Sequence, residues 1–169
     1  MQITGNRLLR AFANEYPDAE KPLRTWQKHI RSRDYRSFAD LRTTFGSADI
    51  VSPWTVFDIR GNRYRLIVTL NLTTQICHVE AVLTHADYDR RNWMRNLTVR
   101  DAPAIVWGPF DHPTTVRPLR DERDYDVALA SLTKLGWQGA AESAHPKHEL
   151  LGLVMRAVLD YEQVHHVFP

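Results

Sequence analysis

Between Phe57 and Leu83 apolar side chains fall at alternate positions, and two short polar interruptions break the run into three. Phe57 and Ile59 alternate with Asp58 and Arg60. Tyr64, Leu66, Val68 and Leu70 alternate with Arg63, Arg65, Ile67 and Thr69, and Cys77, Val79, Ala81 and Leu83 with His78, Glu80 and Val82. A period of two belongs to a strand buried on one face. Gly61-Asn62 has the chemistry of a two-residue hairpin turn of the II′ kind, and Leu72-Thr73-Thr74 supplies a second turn. The pattern predicts three antiparallel strands with an apolar face for helices to cover. The opposite face would carry Asp58, Arg60, Arg63, Arg65, His78 and Glu80, making it the functional side.

Helical spacing precedes this region. Thr4 comes before a stripe of Leu8, Leu9, Phe12 and Tyr16 that stops at Pro17. Pro22 can open a second helix through Leu23, Trp26 and Ile30. Ser37 and Asp40 resemble a capping box for a third, carrying Phe38, Leu41 and Phe45 and ended by Gly46. The fold class expected for residues 1–94 is therefore α+β, with N-terminal helices packed on a small antiparallel sheet.

The polar side of the sheet carries the candidate chemistry. Three guanidinium groups, from Arg60, Arg63 and Arg65, on one side of a hairpin repel one another unless an anion lies between them, and a phosphate is such an anion. A solvated face paired with Asp58 and Glu80 is the alternative, and spacing leaves both open. Thr84-His85-Ala86-Asp87-Tyr88-Asp89 follows the last strand, with Thr84 and Asp87 spaced as a capping box. His85, Tyr88 and Asp89 then lie within about one helical turn, beside Arg90 and Arg91. An imidazole can move a proton near neutral pH, and a phenol can stack on a base or donate a proton. No carboxylate pair or metal cluster is apparent, and no metal or other cofactor is expected. His165 and His166 lack partners at ligand spacing and read as tail, and His145 and His148 as caps or surface. The single Cys77 lies in a strand pattern and reads as a buried thiol. With no long apolar run and no signal-peptide layout, a soluble cytoplasmic protein without membrane contact is expected.

The rest of the chain has a different character. Residues 1–94 hold 14 Lys and Arg against 10 Asp and Glu, whereas residues 95–169 hold 8 against 10. A basic unit joined to an acidic one fits a polyanion-binding part with an attached neutralising part. Residues 95–118 read as an irregular linker whose apolar Ile105-Val-Trp-Gly-Pro-Phe110 needs a surface, with Trp107 as its anchor. Residues 119–169 read as a helical hairpin. Asp121, Glu122 and Asp124 open one helix through Tyr125, Leu129 and Leu132 to Gly136, and Pro146 opens another through Leu150, Leu151, Val154, Val158 and Tyr161.

The helices followed by Val56-Phe-Asp-Ile-Arg-Gly-Asn-Arg-Tyr-Arg-Leu-Ile67 and Leu83-Thr-His-Ala-Asp-Tyr-Asp-Arg-Arg-Asn-Trp93 closely resemble the HigB family of bacterial type II toxins, which are RelE-like mRNA interferases. The resemblance covers residues 1–94. It implies a compact α/β toxin domain that enters the ribosomal A site and cleaves mRNA without a metal. By motif it makes Arg63, Arg65, His85 and Tyr88 the candidate catalytic residues, and Arg60, Asn62, Asp89, Arg90 and Arg91 the candidate RNA-binding residues. Residues 119–169 look like the N-terminal helical part of HigA-type antitoxins, without the helix-turn-helix that normally follows in that family, so DNA binding is not expected. The expected partners are mRNA and the ribosome, with neutralisation within one chain or by exchange in a homodimer. A non-catalytic RNA-binding scaffold is the alternative.

Overall fold

The computed structural model describes residues 1–98, 118–137 and 144–166. A five-stranded sheet runs in the order β1-β5-β4-β3-β2. Its centre is the expected meander of β3 (Trp54–Ile59), β4 (Tyr64–Asn71) and β5 (Ile76–Thr84), all antiparallel. Two strands not foreseen from the sequence flank it: β1 (Gln2–Thr4), parallel to β5, and β2 (Asp49–Val51), antiparallel to β3. Three residues are too few to display a period, which is why they escaped notice.

Helices α1 (Asn6–Glu15), α2 (Glu20–Arg31) and α3 (Phe38–Thr44) cover one face, with a 3-10 turn at Pro17–Ala19 between the first two. Leu9, Phe12, Leu23, Trp26, Ile30 and Leu41 pack there against Phe57, Ile59, Leu66, Val68, Cys77 and Val79. Each such side chain contributes roughly 1.5–3 kcal/mol on leaving water. Burial also pushes the Cys77 thiol up, so it remains protonated. Tyr16 precedes Pro17 and leaves the helical region, ending α1 as expected. The Ser37 hydroxyl accepts the Asp40 N–H and caps α3.

The opposite face is not the open polar surface that alternation implied. Ile67 pairs with Ala81 but Val68 pairs with Val79, so Glu80 is the extra residue of a β-bulge. The bulge inverts the phase of β5 beyond it. Val82 turns to the helix-covered side, while Ala81 and Leu83 face the other. There α4 (His85–Asp89) leads to α5 (Asn92–Thr98), whose Trp93 and Leu97 bury Trp54, Val56 and Ile67. His78 and Glu80, expected on display, are 2% and 1% exposed. A ring nitrogen of His78 shares a hydrogen bond with the Thr4 hydroxyl at 2.8 Å. Glu80 accepts from Thr69 at 2.6 Å and from Thr133 at 2.7 Å. Their partners stand up to 74 residues away, so no local pattern announces the burial.

Thr133 belongs to α6 (Glu122–Trp137), which packs against α7 (His148–His165). Asp121 accepts the Asp124 N–H at the start of α6, and the helix runs one residue past Gly136. Tyr125, Leu129 and Leu132 meet Leu151, Val154, Met155 and Val158 in a second core that also takes in Ile76 of β5. Gly152 brings α7 close to the β4–β5 turn; a Cβ there would lie 2.8 Å from Thr74 Cγ2. Helix α5 crosses the expected boundary at residues 94/95. The Ile105–Phe110 segment, with Trp107, lies outside the described residues. No described helix is long and apolar enough to cross a membrane.

One carboxylate fastens the hairpin to the sheet. Glu162 of α7, 1% exposed, accepts from Gly5 N at 2.5 Å, Asn6 N at 3.1 Å, Asn6 Nδ2 at 2.8 Å and the Tyr125 hydroxyl at 2.6 Å. It thus caps α1 from 156 residues away, where the helix dipole favours negative charge. Gly5 holds φ +84°, and a Cβ would approach Val79 O to 2.6 Å, so only glycine fits at the turn. Burial, with Glu162 beside it, pushes the Tyr125 phenol up and keeps it a donor. Glu162→Ala strands these donors and is expected to cost about 3 kcal/mol, lowering Tm by roughly 6–12 °C in a circular-dichroism melt. A change below about 2 °C would contradict that role.

Candidate active site

The β3–β4 turn sets the direction of the arginines. Gly61 and Asn62 both have positive φ, 56° and 77°, as a type I′ turn requires, in place of the II′ geometry expected. Arg60, at φ 56°, is left-handed too, and Arg63 N closes the turn on Arg60 O at 3.3 Å. Arg60 and Arg63 consequently reach the helix side, where Asp18 of the 3-10 turn receives both, Arg63 at 3.2 Å, as well as the Tyr64 hydroxyl at 2.7 Å. Arg65 points the other way. Its Nη1 meets Asp58, its cross-strand neighbour, at 3.0 Å and the Asn62 carbonyl at 3.1 Å. The expectation that three guanidiniums share one face is therefore corrected: each has a carboxylate, and they divide between two sides. Asp18 was not foreseen, because nothing local links it to a hairpin 42 residues on.

The second segment is organised by its cap. The Thr84 hydroxyl accepts the Asp87 N–H at 3.2 Å and donates to the Asp87 carboxylate at 2.6 Å, so the expected N-cap forms, with the carboxylate returning to the hydroxyl and not to the backbone N–H of a capping box. The His85 N–H donates to Arg63 O at 3.0 Å, tying α4 to the arginine turn. His85 Nε2 lies 3.2 Å from Asp89 Oδ2, one helical turn on, with both side chains about half exposed. Such a contact adds little stability in water but orients the ring. Tyr88 is half-buried, and its ring lies under the Arg65 guanidinium at 5.4 Å and stacks on Trp93 at 5.3 Å. Arg90 pairs with Asp87 at 3.2 Å, and exposed Arg91 turns the chain at φ 58°.

Arg65, Tyr88, His85 and Asp89 are thus gathered beside the Asn62 and Arg63 carbonyls, while the Arg60 and Arg63 side chains are drawn to Asp18 and Arg90 to Asp87. Both Arg65 bonds run through Nη1, and among the described residues Nε and Nη2 make none, which keeps donors for an anion. A delocalised cation, a phenol and a carboxylate-oriented imidazole can together neutralise a phosphate and move a proton. Trp93, which sequence reasoning left among the core residues, is the neighbour that the spacing did not reveal. Among the described residues no group of His, Cys, Asp and Glu is placed to hold a metal ion.

Burial is the main cause holding the Tyr88 phenol above its ordinary value, with Arg65 and Arg91 pulling it down. In a ring-carbon NMR titration its midpoint is expected above the usual ~10 for tyrosine. Arg65→Gln removes a positive charge that favours the phenolate, so the midpoint is expected to rise further. A fall on that substitution would contradict the placement of Arg65.

Residues 19–91 match the family of HigB toxins, described as the RelE-like toxic component of a toxin–antitoxin system. The mRNA interferase HigB of Escherichia coli O6:H1 (strain CFT073) is 27% identical over 93 residues, covering 53% of this chain and 90% of that relative. The mRNA interferase toxin HigB of Escherichia coli K12 and the mRNA interferase HigB of Shigella flexneri are each 25% identical over 92 residues, covering 53% of this chain and 88% of theirs. The matched range takes in Asp18's neighbours from Ala19 onward, the arginine turn and α4, and it ends before Trp93, α6 and α7. Residues 19–91 accordingly match the HigB toxin family, within a mixed α/β chain.

Proposed function

We propose that this chain is an mRNA interferase of the ribosome-dependent kind, cleaving without a metal and held inactive by its own C-terminal helices. The observation that carries the reading is the Arg65 guanidinium over Tyr88, with the His85–Asp89 pair on the same short helix, inside the HigB-like range. His85, oriented by Asp89, takes the proton of the ribose 2′-hydroxyl as its oxygen attacks the phosphorus, and Tyr88, which burial keeps protonated, gives a proton to the departing 5′-oxygen. Arg65 stabilises the negative charge that develops on the phosphorane, and Arg63 joins it once freed from Asp18. Arg60, Asn62, Arg90 and Arg91 border the same turn and helix and position the RNA backbone. mRNA on the ribosome is the substrate, and the cytoplasm the compartment.

Restraint by α6 and α7 is supported by their docking on α1, β1 and β5 through Glu162, Glu80 and the Arg7 contacts to Glu122 at 3.3 Å and Asp126 at 2.6 Å. These anchors leave His85 half exposed, which favours inhibition by bulk, blocking access to the ribosome, over plugging of the catalytic groups. Tethering holds the restraining part at an effective concentration on the order of millimolar. We read the helices as antitoxin-like, acting within one chain, with a homodimer that exchanges them as the alternative. The carboxylate partners of Arg60, Arg63 and Arg65 reduce the charge offered to a transition state, and a second reading is an RNA-binding scaffold without cleavage.

The two readings separate in a translation extract containing a chelator. The nuclease reading expects new 5′ ends on translated mRNA, reduced about 10²–10³-fold by Arg65→Ala or by His85→Ala. RNA retention with no new ends from the intact or the linker-cut chain would leave the scaffold.

A further inference from the structure

The indole of Trp93 covers one face of the Tyr88 ring. It is stacked there with centroids 5.3 Å apart and planes 17° from parallel, the offset geometry that a base adopts on an aromatic side chain. Its Nε1–H donates to Tyr88 O at 3.0 Å, and its other neighbour is Trp54, edge-on at 5.3 Å and 62°. At 5% exposure the indole is enclosed, although it belongs to a helix of only seven residues. The Tyr88 ring also lies under the Arg65 guanidinium, so an aromatic plane, a cation for a phosphate and a resident flat ring meet at one place.

The attachment of α5 gives it a way to move. It follows Arg91, whose φ of 58° breaks the helical path after α4, and Arg91 N is the last amide that bonds back to α4, reaching Tyr88 O at 3.0 Å. A short helix between a left-handed residue and a connection to α6 can swing with a change at few dihedrals. It is held by Trp93 and Leu97 against Trp54, Val56 and Ile67 and by contact with α6.

We propose that Tyr88, Arg65 and Trp54 form a nucleobase subsite for single-stranded RNA and that Trp93 is its resident occupant, displaced when α5 lifts and the base takes the indole's place. This rests on the RNA-directed reading above and adds to it a second restraint, which the contact of α5 with α6 couples to the docking of the C-terminal helices. Stacking accepts any base, so the subsite positions a nucleotide without selecting its identity. Trp93 is then an autoinhibitory residue, and its removal improves binding, an effect that simple loss of packing does not produce.

The test uses the full chain and a fluorescent 2′-O-methyl RNA hexamer, which lacks the hydroxyl needed for cleavage, followed by anisotropy. Trp93→Leu, which keeps an apolar plug but no flat ring, and Trp93→Ala are both expected to bind about tenfold tighter than the natural chain, within the range that one base stack supplies. Trp93→Phe is expected to remain close to it, and adding Tyr88→Ala to Trp93→Leu to abolish the gain. Folded Trp93 variants that bind no tighter, or a gain that survives Tyr88→Ala, overturn the proposal. In the natural chain, saturating hexamer should speed amide exchange across Asn92–Thr98. Unchanged exchange there overturns it even where the variants fail to fold. A binding gain without cleavage of ordinary RNA by any form would keep the subsite and remove the nuclease reading alone.

Discussion

Everything C-terminal in this structure hangs on the carboxylate of Glu162. A buried charge is tolerated only when its hydrogen-bonding capacity is met, and here the donors come from three parts of the chain: the turn into α1, the Asn6 side chain and Tyr125 of α6. The same atom pair therefore caps α1, fixes the register of α7 against β1 and locks α6 to α7. Breaking it does not weaken one contact but leaves several buried donors without acceptors. Glu80 repeats the device on the sheet, joining β4, β5 and α6 through two hydroxyls. Two internal carboxylates thus attach an acidic pair of helices to a basic domain more firmly than surface charge would.

That attachment changes how the candidate site is understood. Read along the strand, the arginines form a cationic face awaiting an anion. Folded, Arg60 and Arg63 share Asp18, and Arg65 holds Asp58. The two pairs to Asp18 are exposed and weak, so a phosphate can compete for them, whereas the Arg65 side chain is only 12% exposed. Tyr88 is the better-defined element, because a cation, an indole and its half-buried setting all bear on one phenol. The site is assembled, but its parts are engaged with one another.

What the sequence disclosed depends on distance along the chain. The N-caps at Ser37–Asp40 and Thr84–Asp87 were legible because both partners lie three residues apart. The three long strands and the stripes of α6 and α7 were legible by period. The bulge at Glu80 was not, since one inserted residue leaves apolar residues on both sides of it and merely exchanges their faces. Signals for the buried carboxylates were present nonetheless. Glu162 falls on the same stripe as Val154, Val158 and Tyr161, where an acid needs hidden donors, and Ile67 among the arginines marked a polar face that something covers. Asp18 and Trp93 carried no such mark, one being remote from its arginines and the other one apolar residue among many.

The central claim is that a HigB-like RNA-cleaving unit is held inactive by the helices fused to it. The most direct measurement is 5′-end mapping of translated mRNA with the chain intact, and again after a protease site placed between α5 and α6 is cut and the fragments diluted. Cleavage is expected to be low for the intact chain and to rise sharply once α6 and α7 are free to leave. Equal cleavage by both forms would contradict the restraint, and no cleavage by either would contradict the nuclease.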